Sequence, residues 1–192
     1  LKTIAVASDV GMMGGSQAHE FMAFSEYGED TLVICDTCHT ASNRQVARVR
    51  RATPASEAPL PIEEVKTPDA PTIEALAKQL GVGPERTAKA VFFADRDARL
   101  IVAIVRGDDD VEETKLTNAI GARDLRPARE EEIRAAGMVP GYASPIGAKG
   151  ALVVVDELAA ASANLVAGAN KEGYHVKNVN VPRDFTPDHI VD

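Results

Sequence analysis

The spacing of apolar residues predicts one clear amphipathic helix near the middle of the chain. From Ile73 to Leu80 the apolar side chains recur at i, i+3, i+4 and i+7, which places them on one helix face. Thr72 is a suitable N-cap, and Gly81 is a suitable residue to end the helix. Pro84 can then open a short helical turn. We therefore expect a helix that begins after Thr72 and stops at Gly81.

Continuous apolar runs predict strands on the C-terminal side of this helix. Ala90–Ala94 and Leu100–Val105 are separated by a charged turn at Asp95–Arg99, which is typical of a β-hairpin. Short strands interleave with short helices without regular βαβ spacing, so the fold class is a mixed α+β domain. Further strands are predicted at Ala151–Val155, Leu165–Ala169 and Tyr174–Val181, and further helices at Glu112–Ile120 and Glu130–Ala136.

The first third of the chain differs from the rest. Lys2–Ala7 and Thr31–Cys35 read as short strands, with a glycine break at Gly11–Gly15 between them, and Ala41–Val49 is predicted to be a helix. Residues 52–71 are rich in proline, which forbids regular structure. We therefore divide the chain into residues 1–50, a linker over 51–66, a folded domain over 67–178 and a closing segment over 179–192.

The charge of the chain excludes one class of function. Its 21 basic and 29 acidic residues give a net charge of −8, whereas a stand-alone nucleic-acid binder normally carries a basic face. Any contact with RNA should therefore be local. The chain begins at Leu1, and no apolar run approaches the length of a membrane span. We expect a cytoplasmic piece of a longer protein that does not contact a membrane.

The two cysteines form a motif that supports several interpretations. Cys35, Cys38 and His39 match the C-x-x-C-H pattern of covalent haem attachment. Haem would need an export signal and a second axial ligand, zinc would need a fourth ligand, and redox activity would need a helix N-terminus beside the thiol. An inert turn is the favoured interpretation, and we predict no metal site.

Two separate stretches resemble one known family. Residues 14–21 read G-G-S-Q-A-H-E-F, and Cys35–Cys38 with Ala41–Arg44 comes after them. They are similar to a glycine-rich segment of the class II catalytic core of bacterial-type prolyl-tRNA synthetases and to the segment that follows it. From Thr67 to Phe185 a series of short motifs, including R-T-A-K, P-G-Y-A-S-P and A-G-A-N, resembles the insertion domain of that family. This resemblance implies that the cysteine pair is an ordinary feature of the family and not a cofactor site.

The resemblance implies a fold and an activity. The insertion domain is a mixed β-barrel flanked by helices, here with a partial segment of the class II core over 1–50 and a return segment over 179–192. Its activity is editing, the hydrolysis of alanine wrongly attached to the tRNA for proline. Editing needs no cofactor, and ATP and Mg²⁺ serve only the full-length parent. The implied partners are the aminoacylated 3′ end of the tRNA and the remainder of the synthetase, whose parent is expected to be a homodimer.

Three positions carry over from the family as catalytic candidates: Lys89, Asp156 and His175. Lys89 could pair with a phosphate or hydroxyl of the terminal adenosine, although lone lysines are more often surface residues. His175 could orient substrate or water, or be a satisfied half-buried histidine. Asp156 could fix His175 or bind the amino group of alanine, or it could cap the next turn.

The resemblance also implies substrate-binding residues. A glycine-rich loop could offer backbone N–H groups to the ester carbonyl, because glycine allows close approach of the backbone; its alternative is an ordinary surface turn. These predicted binding residues are Gly141, Tyr142, Ala143, Ser144, Pro145, Arg106 and Gly168. The alternative function is a module that binds the tRNA acceptor end without hydrolysis.

Overall fold

The computed structural model describes residues 1–11 and 14–192, so the predicted glycine break at Gly11–Gly15 lies partly outside the described residues. None of the helices in this part of the chain is long and apolar enough to cross a membrane. The described elements, in chain order, are β1 (Thr3–Ser8), β2 (Ala18–Ala23), β3 (Leu32–Ile34), β4 (Ala41–Asn43), β5 (Glu63–Lys66), α1 (Ile73–Leu80), β6 (Ala88–Ala94), β7 (Leu100–Arg106), α2 (Glu113–Ile120), β8 (Arg126–Pro127), α3 (Glu130–Ala135), β9 (Ala151–Asp156), α4 (Glu157–Ala161), β10 (Leu165–Gly168), β11 (Tyr174–Val179) and β12 (His189–Val191).

The N-terminal strands form a four-stranded sheet of their own, in the order β2-β1-β4-β3. The helix predicted over residues 41–49 was wrong, because Ala41–Asn43 pairs with both β1 and β3. Asn43 then ends the strand, since its carbonyl oxygen and side chain accept the backbone N–H groups of Val46, Ala47 and Gln45 in a turn. Pairing with distant strands overrode the local helical pattern.

The predicted helix and hairpin are confirmed in the middle of the chain. Thr72 Oγ1 accepts the N–H of Ala75, and Gly81 ends α1 in the left-handed conformation with φ of 66°. Strands β6 and β7 pair in antiparallel register from Ala88↔Arg106 to Ala94↔Leu100. The short-range signals in the sequence therefore placed both elements correctly.

A five-stranded sheet in the order β12-β9-β7-β6-β8 forms the centre of the domain. Strand β7 is buried on both faces, which explains why it reads as a continuous apolar run. Val102 and Ile104 pack on one face with residues of α3 and α4, such as Ile133. Ile101 and Ala103 pack on the other face with Leu116 of α2. The helices thus cover the two faces of this sheet.

A strand lies within the segment predicted to be a linker. Strand β5 pairs antiparallel with β11, from Tyr174↔Lys66 to Lys177↔Glu63, and completes a three-stranded sheet in the order β10-β11-β5. The expectation that prolines forbid regular structure there was wrong for Glu63–Lys66. The prolines flank this strand without interrupting it, and an edge strand needs a partner on one side only.

The two sheets of this region do not close into the barrel that the resemblance implied. Between them, the described residues contain one isolated parallel bridge, Thr87↔Val166. Strands β5, β8 and β12 stay at the ends of their sheets, whereas closure would require these edges to pair. The observed fold is a mixed arrangement of α-helices and open β-sheets, and the prediction of a closed barrel is corrected.

Candidate functional site

A cavity of about 290 Å³ lies where the two sheets of the central region meet α1 and the loop that follows α3. Most of its walls are small or apolar, and a few polar side chains project from different elements. Such a concave site with a few convergent polar groups is the usual form of a ligand site. The lining residues are Pro71, Thr72, Ile73, Glu74, Leu76, Ala88, Lys89, Ala90, Phe92, Gly107, Gly141, Ala143, Gly168 and His175.

His175 is a buried member of the cavity wall, with only 5% of its surface exposed. Strand β11 holds it between β10 and β5, opposite Gly168 and Val65. Its Nδ1 lies 2.7 Å from the hydroxyl of Thr67, which is fully buried. Burial lowers the pKa of His175 to about 4. The imidazole is therefore neutral at pH 7, and it can act as a hydrogen-bonding group there but not as a cation.

Lys89 places a positive charge at the mouth of the cavity. Its Nζ donates a hydrogen bond to Asp110 Oδ1 at 2.6 Å, and this pairing lowers the pKa of the Asp110 carboxyl. The Asp110 side chain is 92% exposed, and such exposed ion pairs contribute about 0–1 kcal/mol. Lys89 can therefore exchange this partner for a phosphate of a ligand at small cost.

The glycine-rich loop packs tightly against its surroundings, which explains its glycines. Gly141 has φ of 81°, and a Cβ there would lie 2.9 Å from the Cβ of Pro71. A Cβ on Gly168 of β10 would overlap with the backbone carbonyls of Tyr142 and Ala143. Close approach of the backbone, which only glycine allows at Gly168, thus fixes the loop against the sheet.

Asn170 holds the same loop in place. It was not identified as a functional residue from the sequence. Its side-chain nitrogen donates to the carbonyl oxygens of Ser144 and Ile146 at 3.0 and 2.9 Å, and its Oδ1 accepts the N–H of Ser144 at 3.0 Å. Asn170 itself has φ of 52°, a conformation that asparagine tolerates better than most residues. The A-G-A-N motif, which ends at Asn170, was the signal in the sequence that could have identified it.

The structure brings five of the predicted residues together in the cavity. Lys89, His175, Gly141, Ala143 and Gly168 all line it, although they are separated by up to 86 positions in the sequence. The other predicted loop residues lie beside this cavity without lining it. Tyr142 is buried and its ring centroid lies 5.3 Å from that of His175.

Three more of the predicted binding residues are not among those that line the cavity: Ser144, Pro145 and Arg106. Ser144 is buried, and its hydroxyl has no hydrogen-bond partner among the described residues. The carbonyl of Pro145 accepts the N–H of Ala148 and closes the next turn. Arg106 donates from Nε and Nη2 to the two carboxylate oxygens of Asp108, each at 2.6 Å, and precedes Gly107 in the cavity wall.

Asp156 lies at a different place. Its Oδ2 accepts a hydrogen bond from Arg51 Nη2 at 2.5 Å, and its Oδ1 caps α4 by accepting the N–H groups of Leu158 and Ala159. It lines a separate cavity, beside Arg51. Thr67, and not Asp156, is the hydrogen-bond partner of His175. The interpretation of Asp156 as the residue that fixes His175 is therefore corrected: it is a strand-end carboxylate that caps the next helix.

Replacing Asp156 with alanine is expected to reduce stability and leave the chemistry of the cavity intact. Loss of a helix N-cap costs about 1–2 kcal/mol, and the half-buried Arg51 also loses the nearest of its carboxylate partners. Urea denaturation should show this decrease in unfolding free energy, with Asp97→Ala, at an exposed turn position, as the control. Unchanged stability combined with lost hydrolytic activity would contradict this assignment.

The cysteine motif lies away from this cavity. Cys35 and Cys38 are exposed free thiols in the turn between β3 and β4. A hydrogen bond with Thr40 lowers the pKa of the Cys38 thiol to about 7. Across residues 1–11 and 14–192, no cluster of three or more His, Cys, Asp or Glu side chains has the arrangement of a metal site.

A family model described as the aminoacyl-tRNA editing domain matches residues 67–185, more than half of the chain. The proline–tRNA ligase of Salinispora tropica is 52% identical over 200 aligned residues, and that of Dehalococcoides mccartyi is 43% identical over 192. Both alignments cover 100% of this chain and 34% of the relative. The chain thus spans about a third of the length of these relatives.

Two crystal structures share the fold. One is a protein proposed to be a trans-editing enzyme for prolyl tRNA synthetase, with a TM-score of 0.54 and 21% identity over 62% of this chain and 76% of that one. The other is a hypothetical protein, with a TM-score of 0.60 and 17% identity over 69% of this chain and 91% of that one. The predicted resemblance to the editing domain is confirmed by the family match, and this chain belongs to the aminoacyl-tRNA editing domain family.

Proposed function

We propose that this chain is an aminoacyl-tRNA deacylase that hydrolyses the ester between alanine and the tRNA for proline. The observation that carries the proposal is the cavity that gathers Lys89, His175 and the loop residues Gly141 and Ala143 from separate parts of the chain. Ester hydrolysis needs a placed water, donors for the developing oxyanion and a pocket that admits the right side chain. Each of these needs has a candidate in this cavity.

The backbone N–H of Ala143 is the candidate oxyanion donor. Its neighbours are engaged, because the N–H of Tyr142 donates to the carbonyl of Val139 and that of Ser144 donates to Asn170 Oδ1. The N–H of Ala143 has no acceptor within the described part of the chain, and Ala143 lines the cavity. A fixed, unpaired N–H that faces the ester carbonyl would stabilise the negative charge that develops there.

His175 and Lys89 have separate proposed roles. The neutral imidazole of His175, with Nδ1 held by Thr67, positions the attacking water or the substrate through a hydrogen bond. Lys89 binds a phosphate or hydroxyl at the 3′ end of the tRNA, because a lysine at the mouth of a cavity provides a point charge for such groups. Water is the nucleophile in this scheme, and no cofactor takes part.

The small walls of the cavity support selection of alanine by size. Ala88, Ala90, Ala143, Gly107 and Gly168 lie around it. A site for proline rejects the smaller alanine weakly, since the loss of a methylene is worth about 1–3 kcal/mol. A second site that accepts alanine and excludes the proline ring corrects the error. The same cavity therefore supplies the size limit and the hydrolytic groups.

The proposal extends to the parent protein. The alignments with proline–tRNA ligases include residues 1–50, which supports the view that these residues belong to the class II core and that 179–192 return to it. The partners are then the aminoacylated 3′ end of tRNA for proline and the remainder of the synthetase, working in the cytoplasm. ATP and Mg²⁺ would serve the parent, a homodimer in this proposal.

The test is deacylation of Ala-tRNA and Pro-tRNA, both made with the tRNA for proline, by the purified chain. We expect alanine to be released at least about tenfold faster than proline, as the loss or gain of one or two methylenes allows. Lys89→Ala should slow alanine release about tenfold through loss of a charge-assisted contact, with Lys78→Ala on the exposed side of α1 as the matched control. Binding of tRNA without any hydrolysis would replace the proposal by an acceptor-end binding module.

A further inference from the structure

We propose that Glu74 binds the α-ammonium group of the aminoacyl ester, so that the cavity recognises a free amino acid ester by charge as well as by size. This inference rests on the proposed deacylase function. It assigns to the cavity a specificity residue on α1 to which the resemblance to the synthetase family gave no role.

The charges that line the cavity are few and are placed on two walls. Among its described lining residues, Glu74 is the only carboxylate and Lys89 is the only lysine or arginine. Glu74 belongs to α1, and Lys89 belongs to β6. An aminoacylated tRNA end also carries one cation, the ammonium, and several anions, the phosphates. The two sets of charges are complementary.

Glu74 is a solvent-exposed, ionised carboxylate in the first turn of α1. Its own backbone N–H, the hydroxyl of Thr72 and the charge of Lys89 hold the pKa of this carboxyl below its usual range. The α-amino group of an amino acid derivative has a pKa of about 8. At pH 7 a carboxylate on the protein therefore meets an ammonium on the ligand, and a charge-assisted hydrogen bond between them is stronger than a neutral one.

The neighbouring charges leave Glu74 available for such a partner. Lys89 is already paired with Asp110 at 2.6 Å, and the nearby Arg106 is paired with both oxygens of Asp108. Asp156, the residue that the sequence suggested for the amino group, is bound to Arg51 in another cavity. Glu74 is thus the carboxylate in the cavity wall that no arginine or lysine side chain binds in a hydrogen-bonded ion pair within the described residues.

The decisive probe is a pair of tRNA esters that differ only at this group. In lactyl-tRNA a hydroxyl replaces the ammonium of Ala-tRNA, and the acyl group keeps nearly the same size. The rate ratio for alanine over lactate is measured for the unsubstituted chain and for Glu74→Gln, so that the intrinsic reactivities of the two esters cancel between the proteins. Glu113→Gln in the first turn of α2, outside the cavity, is the matched control.

We expect Glu74→Gln to lower the alanine-over-lactate ratio about tenfold, mainly through slower release of alanine, because a hydrogen bond to a charged group is worth about that factor. Glu113→Gln should leave the ratio unchanged, and Glu74→Asp should restore part of it. Hydrolysis of both esters with the same ratio in Glu74→Gln as in the unsubstituted chain would overturn the role of Glu74 and leave the deacylase function intact. Failure of the unsubstituted chain to hydrolyse either ester would overturn both.

Discussion

Substitution of Gly168 by alanine is expected to lower the free energy of unfolding by about 3 kcal/mol, the upper part of the usual range for overpacking. The added Cβ would overlap with the backbone carbonyls of Tyr142 and Ala143, and neither a strand nor a loop held by Asn170 can yield without losing hydrogen bonds. The loop would have to move away from β10. Because a misplacement of about 1 Å can cost about 100-fold in rate, we also expect alanine release from tRNA to fall by about that factor.

Urea denaturation and deacylation kinetics measure these two effects. Gly28→Ala is the matched control, since a Cβ there meets only the carbonyl oxygen of Ser25 at 3.6 Å, an ordinary contact. Its stability and its deacylation rate should both stay close to those of the unsubstituted chain. A stable Gly168→Ala variant with full activity would show that the loop does not depend on this close approach.

Stability should decrease between pH 7 and pH 5 because of His175. Its pKa in the folded chain is about 4, below the ordinary value of about 6.5. The unfolded chain therefore binds more protons between these two values, and folding becomes less favourable as the pH falls through this window. The expected contribution is a loss of about 2 kcal/mol between pH 7 and pH 5.

The measurement is the urea unfolding free energy at pH 7 and at pH 5, for the unsubstituted chain and for His175→Gln. Carboxylates titrate in both proteins, so the difference between them isolates the histidine. His175→Gln should be less stable at pH 7, because Thr67 loses a well-placed partner, and should show the smaller pH dependence. His19→Gln, at an exposed position of β2, should keep the full dependence. Equal pH dependence in all three proteins would contradict a buried, neutral His175.

Local signals in the sequence were sufficient for the elements that depend on neighbouring residues. The apolar spacing of Ile73–Leu80 with its caps specified α1, and the charged turn at Asp95–Arg99 specified the β6–β7 hairpin. Such patterns are readable because helix caps and hairpin turns involve residues only a few positions apart. The helix predicted at Ala41–Val49 failed because strands distant in sequence paired with its first residues.

The candidate site likewise combines residues that the sequence suggested with residues that only contacts between distant elements identified. The family resemblance suggested Lys89, His175 and the glycine-rich loop, but nothing in their local sequence distinguished them from a surface lysine, a core histidine and a turn. Asp156 was suggested as a third catalytic candidate, yet it caps α4 and binds Arg51, 105 positions away. Thr67, Asn170 and Glu74 were not singled out as site residues, since their partners come from other elements.

The sequence by itself determined the α+β character, the central helix and hairpin, and the relationship to the editing domains of prolyl-tRNA synthetases. Only the tertiary structure decided that the sheets stay open, that β5 forms inside the proline-rich segment, and which carboxylate and which hydroxyl lie at the cavity. The physical reason is that periodicity and capping act over one or two turns of chain, whereas strand pairing, burial and charge pairing join residues about a hundred positions apart, as His175 and Thr67 are joined.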